Sequence, residues 1–352
     1  MTGARLVARC VRGLEPVVST EILRTGSACV ESVGHREVGF RGAVGRLRTA
    51  DDVFLAAARG DDVGRRKDGL GALARLARGV DLDGLVRERA ALGGPRGFAG
   101  VEVSASFLGR RNFNRFDVED AVGRVLAERA GVPYHARRDG TAPPDGYAGW
   151  RVTLDGTRAS VLLRVGERPA HRRAYKVESV PGTLHPPVAA AMAQLADVRP
   201  GHRVVDPCCG AGTLLIEAAG QGASLEGFDL DAGALRAAAR NAGAAPVRVR
   251  RGDAGALPVD DRSVDRVLCN PPWGVQVGAR GRLADRPARL WREIARVLAP
   301  DGRAVVLVPD EGLVRAVASG LVPVFAQRLS LFGGPVTVAA LELRTSGARR
   351  RS

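Results

Sequence analysis

The run Asn270-Pro271-Pro272-Trp273, followed by Gly274, joins an amide side chain, backbone carbonyls held by proline rings and a large aromatic face. An amino group on a purine ring is a poor nucleophile because its lone pair is delocalised into the ring. If the Asn270 side-chain oxygen and the Pro271 carbonyl accept both amino hydrogens, the nitrogen pyramidalises and its lone pair turns outward. Proline suits the task, since its fixed φ holds the carbonyl in place and it has no amide hydrogen to compete. Trp273 offers a surface on which an extruded base can stack. Such a group transfer rests on positioning and needs neither a metal nor a nucleophilic side chain. Asn and Pro are also common in plain strand-to-loop turns, so the tetrapeptide takes its meaning from its place in the chain.

Upstream, Val204-Val205-Asp206-Pro207-Cys208-Cys209-Gly210-Ala211-Gly212-Thr213 ends a strand in a carboxylate, turns through two glycines and opens a helix. Gly210 and Gly212 let the backbone approach a ligand and adopt torsions closed to other residues. Asp206 can accept hydrogen bonds from the amino-acid part of a cofactor. A phosphate-cradling loop fits less well, because no Gly-Lys-Ser/Thr follows and a carboxylate here repels pyrophosphate. Gly227-Phe228-Asp229-Leu230 closes the next strand with a second carboxylate, about 20 residues on, where doubly wound folds grip a ribose. Gly252-Asp253-Ala254 supplies a third. Carboxylates at three consecutive strand ends suit a cationic cofactor with a free ribose.

The elements that must position these residues are legible from about residue 201. Apolar runs at Arg203–Val205, Ser224–Phe228, Val247–Val249, Val264–Cys269 and Ala304–Val308 read as strands, with helical patterns at 212–220, 231–242, 286–298 and 310–319. That alternation indicates a parallel sheet covered on both faces. Segments 322–331 and 336–344, separated by a Gly-Gly-Pro turn, suggest a terminal hairpin with one antiparallel strand. Before residue 170, strands are expected at 5–11, 36–40, 101–107, 150–154 and 159–165, and helices at 15–24, 49–58 and 117–130. Asp117 is the expected N-cap of the last, which carries Val118, Ala121, Val122, Val125 and Leu126 on one face. These suggest one or two small α+β units, with boundaries near residue 60 and near 168–185.

Composition sets the outer limits. The chain has 352 residues, 45% hydrophobic and 26% charged, enough for two or three domains with their own cores. No apolar run approaches the length of a membrane span, and residues 1–20 lack a secretory pattern, so a membrane or exported protein is not expected. Cys10, Cys29, Cys208, Cys209 and Cys269 are odd in number and show no CxxC spacing, which points to a reducing cytoplasm without disulfides. Adjacent Cys208 and Cys209 are poor joint chelators, and no metal site is expected. A formal charge of +15 suits a polyanionic partner, namely nucleic acid. Lysine occurs only at Lys67 and Lys176, so nearly every cation is arginine, and the bias dilutes the inference.

Together these residues resemble the class I S-adenosylmethionine-dependent methyltransferases that methylate amino groups, whose glycine loop and Asn/Asp-Pro-Pro-aromatic motif match Asp206–Thr213 and Asn270–Trp273. More narrowly, the chain resembles the THUMP-domain RNA methyltransferases that form N2-methylguanosine in the tRNA acceptor stem. Arg172-Arg173-Ala174-Tyr175-Lys176, then Leu184-His185-Pro186-Pro187 opening a helix, carry that likeness. Trp273 stands where Tyr or Phe is commoner in the family, which leaves stacking intact. The resemblance implies a ferredoxin-like unit at 1–60, a THUMP-like RNA-binding domain at 61–168, a linker at 169–185, a Rossmann-like methyltransferase domain with a mostly parallel seven-stranded sheet at 186–345, and a basic tail at 346–352.

It also implies S-adenosylmethionine as cofactor, held by Asp206, Pro207, Cys208, Gly210, Gly212, Thr213, Asp229, Leu230, Asp253, Ala254, Asn270 and His185. Asn270, Pro271, Pro272 and Trp273 are the expected catalytic residues. Arg110, Arg111, Arg172 and Arg173 are the expected RNA contacts, with tRNA as partner and a monomer as the working state. Two other enzymatic readings stay open at this point: adenine-N6 methylation of DNA or RNA, and guanine-N2 methylation of ribosomal RNA. A module that retains a cofactor pocket without turnover is the non-enzymatic alternative.

Overall fold

The computed structural model describes residues 3–42, 45–220, 222–273, 277–331 and 333–344. Gly274 and the basic tail at 346–352, with Arg349–Arg351, lie outside the described residues. The chain divides into two compact units, one formed by Met1–Cys10 with Val18–Ala170 and the other by Val11–Val17 with His171–Ser352.

The first unit holds β1 (Arg5–Arg9), most of α1 (Glu15–Arg24), β2 (Ala28–Gly34), β3 (Glu37–Gly42), β4 (Asp52–Asp61), α2 (Leu70–Arg78), α3 (Leu82–Ala91), β5 (Gly100–Phe107), α4 (Arg115–Ala130), β6 (Tyr134–His135), β7 (Tyr147–Leu154) and β8 (Arg158–Arg164). Its strands form one sheet in the order β2-β3-β1-β4-β8-β7-β5-β6, continuous across residue 60. Segment 49–58, expected to be helical, is largely strand β4, paired with β1 on one side and β8 on the other. Its alanines favour a helix locally, but two flanking strands need a central partner, and the ladder decides. Asp117 is not the N-cap of α4. Asn114 holds that position in a capping box, with Asp117 at the third helical residue returning the bond to the Asn114 amide.

Arg111, expected to meet RNA, is folded inward. Its guanidinium donates to both Asp62 carboxylate oxygens at 2.6 and 2.8 Å, and the two side chains are 3% and 7% exposed. The Phe107 and Phe113 rings flank it at 5.6 and 5.7 Å. A cation enclosed in this way is a structural group, while neighbouring Arg110 points into solvent.

The second unit holds α5 (Pro186–Ala196), β9 (Arg203–Asp206), α6 (Thr213–Ala218), β10 (Ser224–Asp229), α7 (Ala232–Ala242), β11 (Val247–Arg251), β12 (Val264–Cys269), α8 (Arg282–Asp285), α9 (Ala288–Val297), β13 (Leu298–Val308), α10 (Asp310–Ala318), β14 (Leu321–Leu331) and β15 (Gly334–Leu343). Its seven strands lie in the order β11-β10-β9-β12-β13-β15-β14. The first five run parallel, and β15 is antiparallel to both β13 and β14, so the sheet is mixed. Buried Val205, Val267 and Val306 from neighbouring strands join Leu290, Trp291 and Ile294 of α9 in one apolar cluster. Such strands, covered on both faces, must be apolar almost throughout, which is why they read so clearly in the sequence.

Chain direction across the sheet reverses at β9. From it the chain winds outward to β10 and β11, then returns to β12 on the other side. Between the carboxyl ends of β9 and β12 no crossover covers the sheet, and open α/β sheets bind ligands in such a crevice. Val205 of β9 is level with Val267 of β12, so Asp206 and Asn270 emerge at the same edge.

Replacing Arg111 by Ala strands the Asp62 carboxylate in a nearly closed site. Chemical denaturation should show a loss of about 3 kcal/mol, and tRNA affinity under conditions where the variant stays folded should match that of the parent.

Candidate active site

A cavity of about 650 Å³ opens at this switch point, lined entirely by residues of the second unit. Asp206 ends β9 only 1% exposed, and its Oδ1 accepts from the Cys208 amide at 3.0 Å. The loop then turns through Gly210 at φ 51° and Gly212 at φ 79°, the latter as N-cap of α6. A Cβ on Gly210 would meet nothing within 4 Å, whereas one on Gly212 would lie 3.2 Å from the Ala238 Cβ. Gly210 therefore leaves room for a ligand against bare backbone, and Gly212 allows α6 to pack on α7.

Asp229 ends β10 and uses one oxygen to accept from the Gly210 amide at 3.0 Å and the other from Asp231 at 2.9 Å. It thereby fixes the glycine loop to the neighbouring strand. Asp253, just beyond β11, accepts from the amides of Gly255 at 2.8 Å and Arg282 at 2.9 Å. The three carboxylates line the cavity together with Pro207, Cys208, Thr213, Leu230 and Ala254. Gly212 and His185 do not line it. His185 is instead the N-cap of α5, with its ring 5.4 Å from that of His171. It was expected to bind the cofactor because the family resemblance places the approach segment before the glycine loop over the cofactor.

At the opposite wall, Asn270 follows β12. Its Nδ2 donates to the Gly182 carbonyl at 3.4 Å, while its Oδ1 is buried with no hydrogen-bond partner among the described residues. Pro271, Pro272 and Trp273 continue the wall. Trp273 Nε1 donates to the Leu307 carbonyl at 3.1 Å, which fixes the indole against the tip of β13.

Sequence reasoning missed the residues that hold the remaining wall. Segment Glu178–Leu184 lines the cavity and is pinned by Asn241 of α7, itself 2% exposed. Asn241 Oδ1 accepts from Val177 and Glu178 amides at 3.0 and 2.9 Å, and its Nδ2 donates to the Glu178 and Ala211 carbonyls, each at 3.0 Å. One amide thus ties the approach segment to the glycine loop. Glu217 of α6 acts similarly one turn upstream, accepting from Arg173 Nε and Tyr175 Oη, each at 2.8 Å. Arg173 is consequently buried in an ion pair and does not face RNA, a correction to its expected role, whereas Arg172 is exposed. An asparagine in an alanine-rich helix and a glutamate in a short apolar one carry no local signal of such a task.

Electrostatically the cavity favours cations. Burial, with the nearby Asp229 charge adding to it, pushes the Asp206 carboxyl up to about 8. Burial also pushes the Cys209 and Cys269 thiols up, so neither is poised as a thiolate nucleophile. Among the described residues no three His, Cys, Asp or Glu side chains are grouped to hold a metal ion.

Because the folded Asp206 keeps its proton to a pH at which the unfolded carboxyl has lost it, this group lowers stability as pH rises from about 4 to about 8. Asp206→Asn keeps an oxygen for the Cys208 amide and removes the ionisation. Its melting temperature relative to the parent should climb steadily across that interval in a pH series, and a constant difference would contradict the assignment.

Comparison with known proteins places these features. The RMKL-like methyltransferase domain model matches residues 173–324. A tRNA (guanine(6)-N2)-methyltransferase of Thermus thermophilus is 34% identical over 269 residues, covering 75% of this chain and 74% of that protein. A tRNA (guanine(10)-N2)-dimethyltransferase of Methanothermobacter thermautotrophicus is 34% identical over 181 residues, covering 50% of this chain and 52% of the relative. The crystal structure of TrmN from Thermus thermophilus superposes with a TM-score of 0.74 at 30% identity, over 96% of this chain and 99% of that one. That of SMU.472, complexed with SAH, shares the fold at a TM-score of 0.71 and 18% identity, over 97% and 98% of the two chains. With a mixed α/β sheet, a switch-point cavity edged by strand-end carboxylates and this degree of identity over most of its length, the chain belongs to the family of S-adenosylmethionine-dependent guanine-N2 RNA methyltransferases.

Proposed function

We propose that this protein methylates the exocyclic N2 of a guanosine in the acceptor stem of tRNA. The observation that carries the proposal is the buried Asn270 Oδ1, an acceptor without a partner at the rim of the cavity. A native fold rarely leaves such an atom unmatched, since desolvating it costs roughly 1–3 kcal/mol. An amino hydrogen of the target base supplies the missing donor. Nδ2 is held on the Gly182 carbonyl, which leaves Oδ1 as the unmatched acceptor of a residue that lines the cavity. The Pro271 carbonyl takes the second amino hydrogen, and the indole of Trp273 provides the stacking surface.

The remaining wall fits the family's cofactor. Asp229 and Asp253 present carboxylates to a cationic, ribose-bearing ligand, Asp206 adds a buried carboxyl that a bound cation helps to ionise, and the open space over Gly210 accommodates close backbone contact. When bound, S-adenosylmethionine supplies a methyl group carried on positively charged sulfur. The chain's own residues orient the acceptor amine and exclude water around it.

In the same proposal the ferredoxin-like part at 1–60 and the THUMP-like RNA-binding part at 61–168 share one sheet, and most of the 169–185 segment, expected as a linker, belongs to the catalytic unit with 186–345. Arg110 and Arg172, both exposed, contact RNA. The position-6 guanine in the name of the Thermus relative supports the acceptor stem. The working state in this reading is a monomer, and the five free thiols suit a reducing cytoplasm.

Incubating the purified protein with labelled cofactor and total tRNA, then digesting to nucleosides, should place the label in N2-methylguanosine. Label in N6-methyladenine instead would move the assignment to the adenine alternative. Asn270→Ala should lower the transfer rate by about 100-fold or more with the same product; a rate near the parent's would remove the amide from the reaction.

A further inference from the structure

Beyond the tetrapeptide, α8 and α9 carry a row of arginines that no other part of the site uses. Arg282 opens α8, Arg286 lies in the turn before α9, and Arg289 and Arg292 sit one turn apart along α9. The opposite face of α9 is spent on the core through Leu290, Trp291 and Ile294, so Arg289 and Arg292 face outward.

The lack of a carboxylate partner separates them from the arginines that flank them in sequence. Next to them in sequence, Arg280 pairs with Asp231 at 2.8 Å and Arg296 with Glu293 at 2.7 Å. Among the described residues, none of the guanidinium groups of Arg282, Arg286, Arg289 and Arg292 forms an ion pair, and Asp285 between them pairs with none. Arg282, Arg286 and Arg292 are exposed. Like charges packed this closely repel one another, and a polyanion relieves that repulsion. The row is also contiguous with the active site, because Arg280 and Leu283, on either side of Arg282, form part of the cavity wall.

We infer that this row is a phosphate-binding surface of the catalytic domain, holding the substrate RNA backbone beside the nucleotide presented to Asn270. It rests on the tRNA assignment above and adds to it a second place where RNA is held, within the unit that performs the transfer. From Arg289 to Arg292 the backbone advances roughly 4.5 Å at helical rise, Arg286 precedes them in the turn before α9, and long guanidinium side chains extend that reach to successive phosphates. Arginine forks pair with phosphate oxygens in two-point contacts, so each residue both fixes position and neutralises charge.

Equilibrium binding of tRNA across a salt series tests this, using the full chain in which Arg286, Arg289 and Arg292 are each replaced by Ala, and a second in which each is replaced by Lys. The Ala variant should bind tRNA about tenfold or more weakly at low salt, with a slope of log affinity against log salt smaller by roughly 2 to 3. Its melting temperature and affinity for S-adenosylmethionine should equal the parent's, and the Lys variant should recover most of the slope. An Ala variant with parental affinity and slope overturns the proposal, as expected if the row seats an acidic protein instead. A parent that does not bind tRNA also overturns it. If the parent binds with these dependences yet transfers no methyl group to tRNA, the guanine assignment fails while the surface stands.

Discussion

At the carboxyl edge of β9 and β12 the fold keeps two oxygen-bearing groups away from water without fully satisfying them. The Asn270 Oδ1 has no partner, and the Asp206 carboxyl has a backbone amide but sits deep enough to hold its proton near neutrality. Each is unfavourable for stability when considered alone. The arrangement survives because the surrounding sheet is apolar and closely packed, with Val205, Val267 and Val306 fixing the strand tips from which both groups project. Replacing either by a satisfied or apolar group would strengthen the fold and weaken the chemistry, a trade common at sites that must be ready before their ligand arrives.

Readiness also requires a wall on the side that the sheet does not supply. Strand tips can arrange carboxylates along an edge, but they cannot close over them. That closure comes from Glu178–Leu184, and its position depends on two buried side chains on separate helices. Asn241 uses all of its donors and acceptors on backbone groups, so its geometry is rigid without any charge being buried. Glu217 buries a charge and therefore needs Arg173 beside it. Gly182 extends the same chain of dependence to Asn270, because its carbonyl accepts from the Asn270 amide.

Much of this was legible in the sequence where a local pattern and a local function coincide. Asp206, Asp229, Asp253 and Asn270 could be placed because each ends an apolar run, and strand ends in a parallel sheet share one edge. Segment 49–58 was misread because its alanines speak for a helix while its place between β1 and β8 is a property of the whole sheet. Arg111 and Arg173 looked like surface cations because nothing local reveals that Asp62, 49 residues away, and Glu217, 44 residues away, face them. His185 lay close to the right residues in sequence and yet stands outside the cavity lining.

Arginine, which supplies nearly all the positive charge here, shows why composition alone could not identify the RNA surface. A guanidinium serves equally well as an internal clamp or as a phosphate ligand, since both tasks use the same planar donors. What distinguishes the two is whether a carboxylate has been provided. Arg111, Arg164 and Arg173 each have one within 2.8 Å and are enclosed with it, so their charge is cancelled inside the protein. Arg286 and Arg292 have none and are exposed beside a cavity whose own wall is acidic. The two signs therefore divide the catalytic domain into neighbouring zones, acidic groups where the proposed cofactor would sit and unpaired guanidiniums where the inferred RNA backbone would lie. A nucleotide whose base enters the first while its backbone stays on the second satisfies both fields at once.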